Sequence, residues 1–184
     1  MKFSDKDVNA LFDAVKKVGT SVEAQAGTEL AALGMYDHSF YYRILEADGE
    51  DKANEMHKKV WLKHVKDYVI EGKDDLKIDK IEDVQTVGLI TKIAFEKRGC
   101  IFDIGEINPD IFVGIITRDP LKEFVEDAFQ EEIRNPYMRS LDRVMNSVFE
   151  GIVEECGLSA SIEVTQDQSL YLGDSVTKVV YQSK

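Results

Sequence analysis

Cysteine, proline and tryptophan are all scarce: the 184 residues hold two Cys, three Pro and one Trp. Two thiols, Cys100 and Cys156, cannot staple a small secreted scaffold, and neither belongs to a Cys-x-x-Cys pair. Positive charge is also short, with 23 Lys and Arg against 35 Asp and Glu, a formal net charge of −12. A field of that sign repels phosphate backbones and anionic lipid headgroups, so neither nucleic acid nor a membrane surface is an expected partner. Long apolar runs are missing: the stretch from Ile111 to Ile116 falls far short of the roughly 20 residues of a spanning helix. The opening Met1-Lys2-Phe3-Ser4-Asp5-Lys6-Asp7 has no apolar stretch after its basic residue, which leads to the expectation of a cytoplasmic protein. There is no Gly-x-Gly-x-x-Gly, Walker loop or Gly-x-Ser-x-Gly, and no His-Glu-x-x-His, Glu-x-x-His or Cys/His cluster. No metal and no cofactor is expected.

What is present is an ordinary globular mixture, 43% hydrophobic and 32% charged, long enough for one core, so residues 1–184 are read as a single domain. Residues 1–72 form its helical part. Ser4 with Asp7 makes a variant capping box ahead of Val8, Leu11, Phe12 and Val15, and Gly19-Thr20-Ser21 interrupts the pattern. Gly34 reads as a helix stop, and residues 38–45 as a short aromatic-rich helix. The strongest helix runs from about residue 50 to Ile70, with Ala53, Met56, His57, Val60, Trp61, His64 and Tyr68 facing inward and Gly72 ending it.

Residues 84–184 form a strand-helix-strand part. Period two through Val87, Leu89, Thr91, Ile93 and Phe95 predicts a strand, with Lys97-Arg98-Gly99 turning into a second over 100–104. Residues 111–117 give a third. Asp119-Pro120 opens a helix as N-cap and first residue, Asn135-Pro136 repeats that punctuation, and Gly157 closes the last helix. Two more strands follow, over 159–165 and 170–181. The expected class is α+β: an antiparallel sheet of about five strands, helices packed mainly on one face, and an N-terminal helical segment.

The chemistry concentrates on the His57, Trp61, His64, Tyr68 stripe, whose spacings of four, three and four put all four side chains on one helical face. Such a wall can stack on a flat ligand, and either imidazole can act as a general base. Two turns separate the histidines, about 10 Å of axial rise, so one ion cannot join them. Arg118, at the strand-to-helix junction, can clamp a ligand carboxylate. Tyr41, with Tyr42 and Tyr137, adds candidate wall residues. The same residues also have a plain structural reading, in which the stripe is core, Asp119 is a cap and the cysteines pack.

The Glu-Met-His-Lys-Lys-Val-Trp helix at 55–61, the strand ending in Thr117-Arg118-Asp119-Pro120, and Gly151, Gly157 and Gly173-Asp174 resemble two groups. One is the L-2-amino-thiazoline-4-carboxylic acid hydrolase-like proteins, the other the 4-vinyl reductase small-ligand-binding domains. The resemblance covers roughly residues 40–182. It implies an α+β fold with a ligand cavity between sheet and helices, in a homodimer. The first group carries Arg-Cys-Pro where this chain has Arg118-Asp119-Pro120, and both carry a cysteine shortly after Gly-Asp where this chain has none. Those departures weaken thiol chemistry more than binding.

Three readings follow. The first is a small-molecule-binding or sensing protein, its ligand partly apolar with an acidic end, held by His57, Trp61, His64, Tyr68, Arg118 and Tyr41. The second is a small hydrolase of a carbon-nitrogen or ring carbon-sulfur bond, with His57 or His64 as base and Asp119 or Glu163 as orienting acid. The third is a homodimeric interaction module without ligand.

Overall fold

A computed structural model describes residues 22–184; the capping box at Ser4, its helix and the Gly19-Thr20-Ser21 interruption lie outside the described residues. The element order is α1 (Val22–Asp48), α2 (Glu50–Leu62), α3 (Val65–Leu76), α4 (Val84–Lys97), β1 (Ile101–Asn108), β2 (Ile111–Arg118), α5 (Pro120–Ala128), α6 (Glu131–Glu155), β3 (Ile162–Gln168), a short 3-10 turn (Leu170–Leu172) and β4 (Thr177–Ser183). This is the expected α+β class, with four strands in place of five.

The missing strand is α4. Its Asp83 N-cap accepts from the Thr86 amide at 2.7 Å, and Val84, Val87, Gly88, Thr91, Ala94 and Phe95 fall buried at helical spacing. Because Val87, Thr91 and Phe95 satisfy period two as well as period four, the β-branched alternation misled. Gly88 confirms the close approach: a Cβ there would lie 2.1 Å from Cγ of Phe112 on β2. Helix and sheet meet through that gap.

Strands β1 and β2 form a hairpin whose Asn108 side-chain oxygen accepts from the amides of Asp110 at 2.9 Å and Ile111 at 3.1 Å. This Asx turn is what Asn-Pro-Asp encodes. Strand β4 then returns beside β2, with β3 outermost, in the order β1-β2-β4-β3, all neighbours antiparallel. Helix α4 covers β1, β2 and β4, α6 reaches β3, and α2 and α3 pack over α6 and α4. The core between them holds Phe95, Phe102, Phe112, Phe149 and Tyr181, and the Tyr181 hydroxyl sits 2.8 Å from that of Thr91.

Three helix boundaries differ from expectation. Gly34 does not stop a helix; α1 runs through it, because a Cβ there would press within 2.6 Å of Phe124 on α5, so the glycine serves close packing. The 50–70 helix is split at Lys63 and His64, whose amides bond back three residues to Val60 and Trp61 in a tightened turn. That turn rotates the face, leaving His64 exposed while Val65 and Val69 enter the core. Gly72 faces Ile90 within α3, and the helix ends instead at Lys77, which takes a left-handed φ of 54°.

Pro136 lies inside α6, not at its start. Its missing N–H frees the carbonyl of Glu132 four residues back. The Tyr42 hydroxyl donates to that region, 3.4 Å from the Glu132 oxygen and 2.9 Å from that of Ile133. Among the described residues no helix is long and apolar enough to cross a membrane.

Candidate functional site

A cavity of about 270 Å³ opens where α1, α2, α3, α5 and the end of α4 converge, lined by Asp37, Val60, Trp61, His64, Tyr68, Arg98 and Leu121. The predicted stripe supplies Trp61, His64 and Tyr68. His57, one turn earlier, stands behind Trp61, fully buried. Tyr41 is also buried, its hydroxyl donating to the Pro136 carbonyl at 3.3 Å, and does not line the cavity.

Asp37 organises the polar side. Tyr137 donates its hydroxyl to Oδ2, His57 donates from Nε2 to the same oxygen at 2.9 Å, and Trp61 Nε1 lies 3.3 Å from Oδ1. Burial alone would raise this carboxyl's pKa, but the bonds from His57, Tyr137 and Trp61 outweigh it and hold the pKa below the ordinary range. On the other side of the ring, His57 Nδ1 lies 2.8 Å from Ser140 Oγ. Tyr137 stacks on His57 at 5.3 Å between ring centres, so one carboxylate ties α1, α2 and α6 together.

The opposite wall carries the charge that sequence reading missed. Arg98, the C-cap of α4, lays its guanidinium over Trp61 at 4.5 Å and Phe95 at 5.0 Å. Its position at a helix C-terminus favours a cation. Burial works against that charge, and the field of Asp119 more than restores it, leaving the pKa raised. Asp119 Oδ2 is 3.9 Å from Nη2, an ion pair too long for a hydrogen bond. That carboxylate is otherwise engaged: Oδ1 accepts from the Leu121 amide at 2.8 Å and Oδ2 from the Tyr171 hydroxyl.

Arg118, the expected anion clamp, is not among the residues that line the cavity. It is exposed, and its fork is taken by Glu123, with Nε and Nη2 bonding the carboxylate at 2.8 and 2.7 Å. Glu163 is exposed on β3, and Asp119 faces Arg98 and Tyr171, so neither orients a histidine. The Cys100 thiol is pushed up to about 12 by burial and by Asp119, and that of Cys156 up to about 11 by burial and Glu155. Both stay protonated, which removes them as ready nucleophiles. Among the described residues no group of His, Cys, Asp and Glu gathers as metal ligands.

Arg98 and Asp37 were legible once the helices were known. Arg98 falls in phase with buried Thr91 and Ala94 on α4, and Asp37 with Gly34 and Tyr41 on α1; a charge in phase with an apolar face is the signal. Reading α4 as a strand turned Arg98 into a solvent turn residue.

No protein-family model matches the chain, and no curated protein matches it. Among solved structures it is similar to a trafficking protein particle complex subunit 3 from Naegleria fowleri, covalently bound to palmitic acid. The identity is 16% over 85% of this chain and 96% of that one, with a TM-score of 0.59. At that identity, the likeness is one of fold.

Proposed function

We propose that the protein binds or senses a compact, partly apolar small molecule in the cavity between Trp61 and Arg98. The observation that carries this reading is the cavity itself: an apolar wall of Val60, Trp61, Tyr68 and Leu121 with a few convergent polar groups is the usual make-up of a ligand site. Its volume of about 270 Å³ lies just under the roughly 300–1,000 Å³ of drug-sized pockets. The palmitate bound to the trafficking subunit supports the capacity of such a fold to hold an apolar ligand. A covalent acyl link has less support here, because both described thiols have raised pKa values.

The hydrolase reading draws on one observation, the alignment of Asp37, His57 and Ser140 in carboxylate-imidazole-hydroxyl order. Ser140 is 1% exposed and His57 0%, and the cavity wall is made by Asp37 and Trp61 in front of them. A substrate carbonyl in the cavity therefore does not reach the Ser140 hydroxyl or His57, and binding is the better-supported role. The resemblance to the hydrolase-like and 4-vinyl reductase groups, the cytoplasmic location and the homodimer remain proposals. Exposed Met35 and Tyr36 on α1 support the last.

Mass spectrometry of the purified protein, native and then denatured, tests the reading. A small mass released on denaturation supports it, and the native mass reads the oligomer. A protein that carries no small mass and takes up none from a panel of compact aromatic compounds at millimolar concentration contradicts it.

A further inference from the structure

Arg98 is a half-buried cation with no close oxygen acceptor among the described residues. Its flat faces are covered by Trp61 and Phe95. Its in-plane N–H groups have, among the described residues, one weak acceptor, the Met145 sulfur at 3.8 Å from Nη1, and a carboxylate 3.9 Å from Nη2. Guanidinium donors normally pair at well under that separation with carboxylate oxygens, two at a time. Arg118 on the surface does so with Glu123, whereas Arg98, only 18% exposed, does not. The side chain stacks on Trp61 and Phe95 and lines the cavity with no oxygen acceptor within hydrogen-bond distance among the described residues.

The rest of the wall selects what can meet that edge. Asp37 contributes the other charge, yet its oxygens are taken by His57, Tyr137 and Trp61. An incoming anion is therefore repelled from the Asp37 side and attracted to the Arg98 side. Burial raises the Tyr68 pKa, so its hydroxyl remains a neutral donor. The net charge of −12 disfavours multiply charged ligands at long range, and a single buried cation balances one charge. Trp61 and Tyr68 offer flat aromatic surface between the two poles.

Resting on the cavity reading above, we propose that the ligand class is a compact aromatic monocarboxylate, its carboxylate paired with the Arg98 edge and its ring against Trp61. Asp119, held by the Leu121 amide and Tyr171, sits 3.9 Å from Nη2 of Arg98 without taking up its donors at hydrogen-bond distance.

The test compares phenylacetate with its neutral isostere phenylacetamide, by calorimetric titration of the full chain and of Arg98→Met, which keeps an unbranched apolar stem over Trp61. Phenylacetate is expected to bind the wild type roughly 10- to 100-fold more tightly than the amide, the span of a charge-assisted hydrogen-bonded pair. In Arg98→Met that preference disappears while amide binding persists. Equal affinities for the two probes in the wild type overturn the carboxylate assignment and leave the cavity reading standing. Binding of neither probe overturns the aromatic-monocarboxylate assignment, while the release of a small mass on denaturation decides the cavity reading separately. Should Arg98→Met fail to fold, the wild-type comparison, repeated at rising salt, still decides: an anion pair weakens with salt and the amide does not.

Discussion

Asp37 accepts from three donors on two other helices, so its removal is the most revealing single change. In Asp37→Ala the His57 Nε2–H, the Trp61 Nε1–H and the Tyr137 hydroxyl lose their acceptor together. Each buried orphan costs about 1–3 kcal/mol, and since the three share one site the loss should be about 2–4 kcal/mol, seen as a lower urea midpoint. A loss under about 1 kcal/mol would show that the network contributes little. The neighbouring His38 makes a separate, pH-dependent statement. It is buried against Phe129, stacked at 3.7 Å between ring centres, with Nε2 unpartnered among the described residues. Burial lowers its pKa from 6.5, and the field of Asp37 only partly offsets that. A base with a depressed folded pKa gives up stability as the unfolded chain takes the proton first. Stability is thus full above 6.5 and falls as pH drops below it, levelling once the folded ring is also protonated. Asp37, with its folded pKa below 3.8, adds a second loss in more acid solution as the unfolded carboxyl protonates first. Urea unfolding from pH 8 to 5 should show the first decline, and His38→Phe should remove it; an unchanged slope in that variant contradicts the assignment.

At the scale of elements, the junction of α4 with the sheet decides whether the cavity exists, because α4 delivers Arg98. Gly88→Ala is expected to destabilise by about 1–3 kcal/mol by overpacking against the Phe112 ring, although alanine is the better helix former by about 1 kcal/mol. Thermal unfolding measures the balance, and a stabilised variant would mean that helix and strand separate easily. The same element shows where sequence patterning reaches its limit. Val87, Thr91 and Phe95 satisfy both periods, and what separates them is the Asp83 cap and the tertiary partner, Phe112 filling the space a side chain at Gly88 would need. The α5 start was readable because Asp119 and Pro120 are local signals, and the Leu121 amide does bond Asp119. By contrast, the break at Lys63 and His64 carries no proline or glycine, so the turn that leaves His64 exposed while it still lines the cavity had no local signal. Trp61 and Tyr68 reach the cavity from either side of that break, and Arg118 lost its assigned role to a local partner, Glu123, five residues on.

For the whole molecule, the four-stranded sheet and its helices form a frame in which two carboxylates stand behind the two cavity walls: Asp37 accepts from Trp61, and Asp119 pairs at 3.9 Å with Arg98. The account stands or falls on ligand occupancy between those walls. Trp61 is the single tryptophan, so one indole resonance in a ¹⁵N–¹H spectrum reports its Nε1–H without ambiguity. Titration of ¹⁵N-labelled protein with phenylacetate, following that resonance and the Arg98 Nε–H, reads occupancy of the cavity. Both are expected to move together along one saturable curve while resonances of the sheet's outer edge stay still. Saturable shifts confined to other residues, or none at Trp61 and Arg98, would contradict that occupancy.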